Sequence, residues 1–252
     1  KQQSTDRARI VLNDAMDIHA GASICKGYSN FLEKYYKSAP VGITVEGSNT
    51  LTRNLIIFGQ GINKSHPHIS DILQSILSNN QDEFKIHFNK MVGHVLSKYI
   101  HSFSLYPSDL NTRIIVKKNI NEYLLHKETQ KFAHLSNVIA LRGGTLKRDQ
   151  FLSATMADIL SNIYLAYSVM WYQEQTNTSK VLTNYCINRL LNENRFLICK
   201  VFKNMTLIEK LLCGQVVSKC RHESFLENKK VIQEIKNNSK ILNTIKEDIY
   251  MD

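Results

Sequence analysis

Apolar residues return every three or four positions along most of this chain, the period of helices with one buried face. The clearest run is Arg148 to Gln173. There Phe151, Leu152, Met156, Ile159, Leu160, Ile163 and Tyr167 make a wide apolar face suited to burial. Before it, Gln81 to Leu105 carries Phe84, Phe88, Val92 and Leu96 at intervals of four and stops before Pro107. A further helix is expected from about Thr112 to Leu141, ending at Gly143-Gly144. Helices over about Lys180 to Phe202 and Thr206 to Val217 come after it. A thinner stripe of Val231, Ile235, Ile241 and Ile245 runs through Glu223 to Tyr250.

The first sixty residues are patterned differently. To about Ile18 the spacing is helical, with Ile10, Ala15 and Ile18 among charges. Gly21, Gly27, Pro40, Gly42 and Gly47 then punctuate the chain, which predicts loops around a short amphipathic piece, Tyr28 to Tyr36. Leu51, Leu55 and Phe58 predict a helix whose C-terminal end suits Gly59 and Gly61. Ser65 is placed to cap the next helix, with Pro67 in its first turn and Ile72, Ile76 and Leu77 on its face. No repeat of fixed period and no low-complexity tract interrupts the pattern. The fold class it implies is all-α.

Composition narrows the setting. Of 252 residues 43% are hydrophobic, with 10 Gly and 3 Pro, so a real core is affordable and long linkers are not expected. No apolar run reaches the roughly 18 residues of a membrane span. The polar opening, Lys1 to Val11, is no secretory signal core. A cytoplasmic chain is expected and, since it starts at Lys1, a piece of something longer. Cys25, Cys186, Cys199, Cys213 and Cys220 are odd in number and form no CxxC pair, which argues against a disulfide framework or a zinc ribbon. Cys186, Cys199 and Cys213 lie among apolar residues and read as small hydrophobes.

The formal charge of +10 comes from 32 basic and 22 acidic residues. Such a field draws polyanions: nucleic acid, an acidic membrane surface or an anionic cofactor. It also describes a plain solvated surface. The basic residues are scattered, and no aromatic-basic alternation offers bases a stacking platform, so nucleic acid is set aside. Peripheral contact with an inner-membrane surface stays in view.

The chemistry concentrates in Thr44-Val45-Glu46-Gly47-Ser48-Asn49-Thr50-Leu51-Thr52-Arg53. A glutamate sits in a glycine-flanked loop directly before an apolar helix. Gly47 lets a ligand approach the backbone, and Ser48 or Asn49 is placed to cap the helix. The helix N-terminus offers free N–H groups to an anion. Apolar Ile43 and Val45 are expected to disfavour the ionised form of Glu46 and so make its carboxylate a stronger base, as a general base requires.

This loop resembles a signature of the acyl-CoA dehydrogenase family, in which Glu-Gly-Thr or Glu-Gly-Ala is followed by an apolar residue and an arginine. Glu46, Gly47, Ser48, Leu51 and Arg53 stand in those places. The stretch Asp14 to Gly21 is similar to the family's Ile-His-Gly-Gly-x-Gly turn. The spacing of the two is like that of the large bacterial long-chain type. Further likeness lies in Ile56 to Gly61, in His66-Pro67, in Gly143 to Arg148 and in Asp158 to Ser161. The implied layout is the end of the family's C-terminal helical bundle with the catalytic loop over 1–63, then the bacterial-type helical extension over 64–252.

The resemblance implies a fragment of an FAD-dependent acyl-CoA dehydrogenase acting on fatty acyl-CoA in β-oxidation. Glu46 would take the α-proton of the thioester while the β-hydrogen leaves as hydride to the flavin. The backbone N–H of Glu46, with Gly47 beside it, would hold the thioester carbonyl. Ser48 would contact the flavin, Gly21 would meet the FAD of a neighbouring subunit, and Arg53 would support the site. Implied partners are an electron-transfer acceptor and either further copies or the part of the enzyme preceding Lys1. The glycine turn departs from the family, reading Ala20-Gly21-Ala22-Ser23, so a Cβ at Ala20 and a larger side chain at Ser23 obstruct close approach.

Other residues read more plainly. His66 and His68 lack further ligands for a metal, and none is expected. Asp158 suits an ion pair with Arg148 or a nearby lysine. Lys147-Arg148 fits a helix start or a phosphate contact equally. Met156, Tyr164, Tyr167 and Trp171 read as core. The alternative to an enzyme fragment is a non-catalytic helical interaction module derived from one.

Overall fold

The computed structural model describes residues 1–103, 120–219 and 224–247. Among them every regular element is helical. The all-α expectation holds.

The first helix, α1 (Gln2–His19), packs against α2 (Glu33–Thr44). This corrects the loops expected between Gly21 and Gly47. Pro40 lies inside α2, and Gly42 faces Thr5 of α1. The glycine and proline here therefore serve helix contact rather than chain breaks. A continuous helix, α3 (49–65), follows in three parts: α-helical Asn49–Leu51, a π-helical turn series Thr52–Gln60, and α-helical Gly61–Ser65. It does not end at Gly59 or Gly61 as the glycines suggested. Gly61 takes an ordinary helical φ of −57°, and Ser65 closes α3 instead of capping the next helix. Gly59 lies against α7, where an added Cβ would sit 3.3 Å from the Ser153 hydroxyl.

Two helices, α4 (Ile69–Leu77) and α5 (Gln81–Ser102), form a packed pair. The Asn80 side chain caps α5 by accepting from the Glu83 N–H. The expected stripe of α5 is only shallowly covered: Phe88, Val92 and Leu96 are exposed. The ends placed at Leu105 and Thr112, with Pro107, lie outside the described residues, as do Cys220, Glu223 and Tyr250.

The core forms around α7 (Gln150–Thr176), which packs against α3, α6 (Ile120–Ala140) and α8 (Lys180–Lys203). Asp149 caps α7, and Asn177 ends it in the left-handed conformation. Leu152, Met156, Ile159 and Ile163 meet Phe58 of α3, Leu135, Val138 and Ile139 of α6, and Ile198 and Val201 of α8. A second cluster joins Leu125, Ala166, Ile187, Leu190 and Leu191. Burial of each such side chain contributes about 1.5–3 kcal/mol, so this junction dominates the fold's stability.

Phe151 departs from the expectation and stands exposed. The short α9 (Leu207–Cys213), under a Thr206–Glu209 capping box, packs on α6. The final stripe is two helices, α10 (Phe225–Asn237) and α11 (Ser239–Glu247), broken at Asn238. Among the described residues no helix is long and apolar enough to cross a membrane.

Candidate functional site

The loop between α2 and α3 reverses the chain through two consecutive left-handed residues, Glu46 at φ 56° and Gly47 at φ 94°. Glycine accepts that geometry freely, whereas a glutamate there is strained by about 1 kcal/mol or more. Such strain belongs to a backbone held in place by its surroundings. The Lys1 ammonium donates to the Gly47 carbonyl at 2.7 Å.

Glu46 is exposed, and so is Val45, so this chain raises no apolar wall around the carboxylate. That corrects the screening expected from Ile43 and Val45. The reason is local: Val45 and Glu46 lie beyond the last residue of α2, where the chain's own helices no longer flank them.

Neither expected side-chain cap of α3 forms. Ser48 occupies the cap position, but its side chain makes no cap hydrogen bond. Asn49 is buried and turned toward α1, donating to the Thr5 hydroxyl and the Asp6 carboxylate at 2.8 Å each. The first N–H groups of α3 therefore lack side-chain acceptors from these two residues, as an anion-binding helix start requires.

Behind the loop, Arg53 grips Asp158 of α7. Its Nε donates to Oδ1 at 2.8 Å and to Oδ2 at 3.0 Å, and Nη2 also donates to Oδ2. This bidentate pair raises the pKa of the Arg53 guanidinium, the hydrogen bonds to Asp158 outweighing burial. Asp158 thus pairs with Arg53 and not with Arg148 or a lysine. Gln3 donates to Asp158 Oδ1 at 3.3 Å, and Arg7 donates to Asn162 at 3.2 Å. A polar seam consequently fastens α1 to α7 and adds to the apolar contact that Phe58 makes between α3 and α7. Gln3 and Asn162 were not singled out from sequence, and Asn49 was expected only as a helix cap. Their signal was the polar pair Asp158 and Asn162, four apart on an otherwise apolar face.

The turn at Gly21 ends α1. Ala20 adopts φ 46° and ψ −123°, a conformation that suits glycine. The Ser23 hydroxyl folds inward onto the carbonyls of Met16 at 2.8 Å and Ala20 at 2.7 Å, so it does not protrude as its size suggested. Gly21 itself is exposed, with open space where a Cβ would lie.

His66 and His68 gain a third neighbour in His94 of α5, at ring-centroid distances of 5.4 and 5.5 Å. Burial, with repulsion from His68, lowers the pKa of His66, and burial likewise lowers that of His94. Among the described residues no group of three or more such side chains is placed to hold a metal ion. Of the set read as core, Met156 is buried and Tyr167 partly so, while Tyr164 and Trp171 face outward.

Residues 63–252 match the family described as "Acyl-CoA dehydrogenase, C-terminal, bacterial type". The chain belongs to that family. The helical fold agrees with a solved acyl-CoA dehydrogenase complexed with FAD from Bacillus anthracis. That likeness has a TM-score of 0.59 at 15% identity and covers 89% of this chain. It covers 36% of the other chain, so this acyl-CoA dehydrogenase C-terminal chain spans about a third of that enzyme's length. The family match takes in α4 to α11, and both the loop bearing Glu46 and most of α3 lie before it.

Proposed function

We propose that this chain is the C-terminal part of an FAD-dependent acyl-CoA dehydrogenase, acting on fatty acyl-CoA in β-oxidation, with Glu46 as the base. One observation carries the reading. Glu46 and Gly47 form a strained, exposed reversal at the start of α3, and α3 is locked to the family's own helices through Arg53 and Asp158. A loop so held presents one carboxylate and one set of backbone N–H groups to whatever docks on it.

In this reading the Glu46 carboxylate removes the α-proton. The thioester carbonyl is held by the backbone N–H of Glu46, with Gly47 leaving room for it. Water exclusion and the apolar surround that make a carboxylate a competent base come from the remainder of the enzyme, since Glu46 is open here. FAD, when bound, supplies the oxidant for the β-hydrogen. Toward it this chain offers Ser48, whose side chain makes no cap bond, and Gly21, whose surface is open. Both fit a contacting role. The other partners would be an electron-transfer acceptor and further copies or the rest of the enzyme.

A second reading, a helical module without catalysis that docks on a partner, draws on α2, where Tyr35, Tyr36 and Val41 lie exposed. A peripheral membrane role draws on α9, whose Leu207, Ile208 and Leu211 are 86%, 74% and 83% exposed. Turnover decides between catalysis and docking. In the complete enzyme Glu46→Gln should abolish acyl-CoA oxidation with flavin content near normal, and retained turnover removes Glu46 as the base.

A further inference from the structure

Tyr164, Ser168 and Trp171 sit at i, i+4 and i+7 on α7, a second stripe beside the one that forms the core. With Leu182 and Cys186 of α8 and Ile241 of α11 they wall an open cleft of about 740 Å³. Small-molecule sites span about 300–1,000 Å³. The interior is largely apolar, and two of the hydroxyls on its walls are turned onto the backbone. Ser168 donates to the Tyr164 carbonyl at 3.0 Å, and Thr183 to the Ser179 carbonyl at 3.1 Å. Burial pushes the Cys186 thiol up, so it stays neutral and acts as apolar wall.

The mouth has another character. Tyr164 and Trp171 are 72% and 60% exposed, and such rings set a polar tip beside an apolar body. Exposed Arg189, one turn along α8 from Cys186, lies close enough to act electrostatically on that thiol. Exposed Lys240 directly precedes Ile241. Glu234, which accepts from Asn238 and Ser179, keeps its negative charge on the Ser179 side of the cleft. The cleft is thus apolar within, with the positive charge of Arg189 near its Cys186 wall.

We propose that this cleft binds a long-chain fatty acid anion, its tail between α7 and α8 and its carboxylate toward Arg189 and Lys240. Two cations without a glycine-rich phosphate loop suit one compact charge better than a nucleotide head group. The site shares no residue with the Glu46 loop, so it stands or falls separately from the proposed dehydrogenase activity.

Trp171 is the single tryptophan of the chain and reports on the cleft directly. Titration of the whole chain with dodecanoate below its micelle concentration should give a saturable blue shift at one equivalent. Dodecanol should bind more weakly. Arg189→Glu should weaken dodecanoate binding about threefold, as an exposed ion pair allows, and leave dodecanol unchanged. Cys186→Phe fills the cleft and should remove the shift, whereas Glu46→Gln should not alter it. The proposal is overturned by no saturable shift, by dodecanol binding as tightly as dodecanoate, or by dodecanoyl-CoA binding where dodecanoate does not. It is overturned equally by an unchanged shift in a Cys186→Phe chain of native circular dichroism. Should that variant misfold, the surface change at Arg189 decides, and an unaltered dodecanoate affinity rejects the proposal.

Discussion

Arg53 and Asp158 stand 105 positions apart and meet through both Nε and Nη2 of the guanidinium. Asp158 is buried on α7 and Arg53 is partly exposed on the π-helical part of α3. The pair therefore ties the segment that bears the Glu46 loop to the central helix of the bundle. A planar fork on a carboxylate fixes orientation as well as distance, which a lysine at the same place would not.

Breaking this pair should cost stability chiefly through the group left behind. Asp158→Asn should lower the unfolding free energy by about 2 kcal/mol, the loss of hydrogen bonds to a charged partner. Urea denaturation of the single and double variants with Arg53→Gln measures it. A double-mutant cycle with no coupling would mean the contact does not form in solution.

Glu209 supplies a pH-dependent counterpart. Its carboxylate accepts from Arg142 Nε at 2.7 Å and Nη2 at 2.8 Å and from the Thr206 N–H at 2.8 Å. The Arg142 hydrogen bond, above all, holds its pKa down to about 2, against an ordinary 4.5. A carboxyl whose folded pKa is depressed adds stability above its unfolded value and loses it as pH falls through the folded one. Glu209→Gln should therefore destabilise the chain by about 2 kcal/mol at pH 7. Thermal denaturation should show that difference shrinking below pH 4.5 and vanishing toward pH 2. A gap unchanged across this window would show that Glu209 is not charged and paired in the fold.

The α9 face gives a membrane test. Leu207, Ile208 and Leu211 project with Lys203 and Lys210 nearby in sequence, a combination suited to an anionic lipid interface. Sedimentation with anionic liposomes should carry the chain down at low salt, less at high salt, and less after Leu207→Asp with Leu211→Asp. Equal sedimentation of the variant would place any contact elsewhere.

Much of the bundle was legible because burial writes its period into sequence. The α7 face from Leu152 to Ile163 was readable for that reason, as was α8, whereas α1 and α5 kept the helical spacing although Ile10, Ile18, Phe88 and Leu96 stand exposed. Segments where contact is polar were not. α2 was hidden by Pro40 and Gly42, residues that usually end helices yet here lie within one against α1. α3 runs through Gly59, whose missing side chain lets Ser153 of α7 approach closely. At the loop, the spacing from Glu46 to Arg53 was visible, but the partner of Arg53 was not. A pair 105 residues apart leaves no local pattern. Tyr164 and Trp171 were misplaced into the core because a 27-residue helix carries two apolar stripes, and only one of them is covered.

Proton exchange tests Glu46 as the base apart from turnover. The complete flavin-loaded enzyme would be given an acyl-CoA bearing sulfur in place of its β-carbon, so that dehydrogenation is impossible, in deuterium oxide. The wild-type enzyme should place deuterium at the α-carbon, and the Glu46→Gln enzyme should bind the thioester without exchange. Exchange at the wild-type rate in the Glu46→Gln enzyme would contradict the assignment.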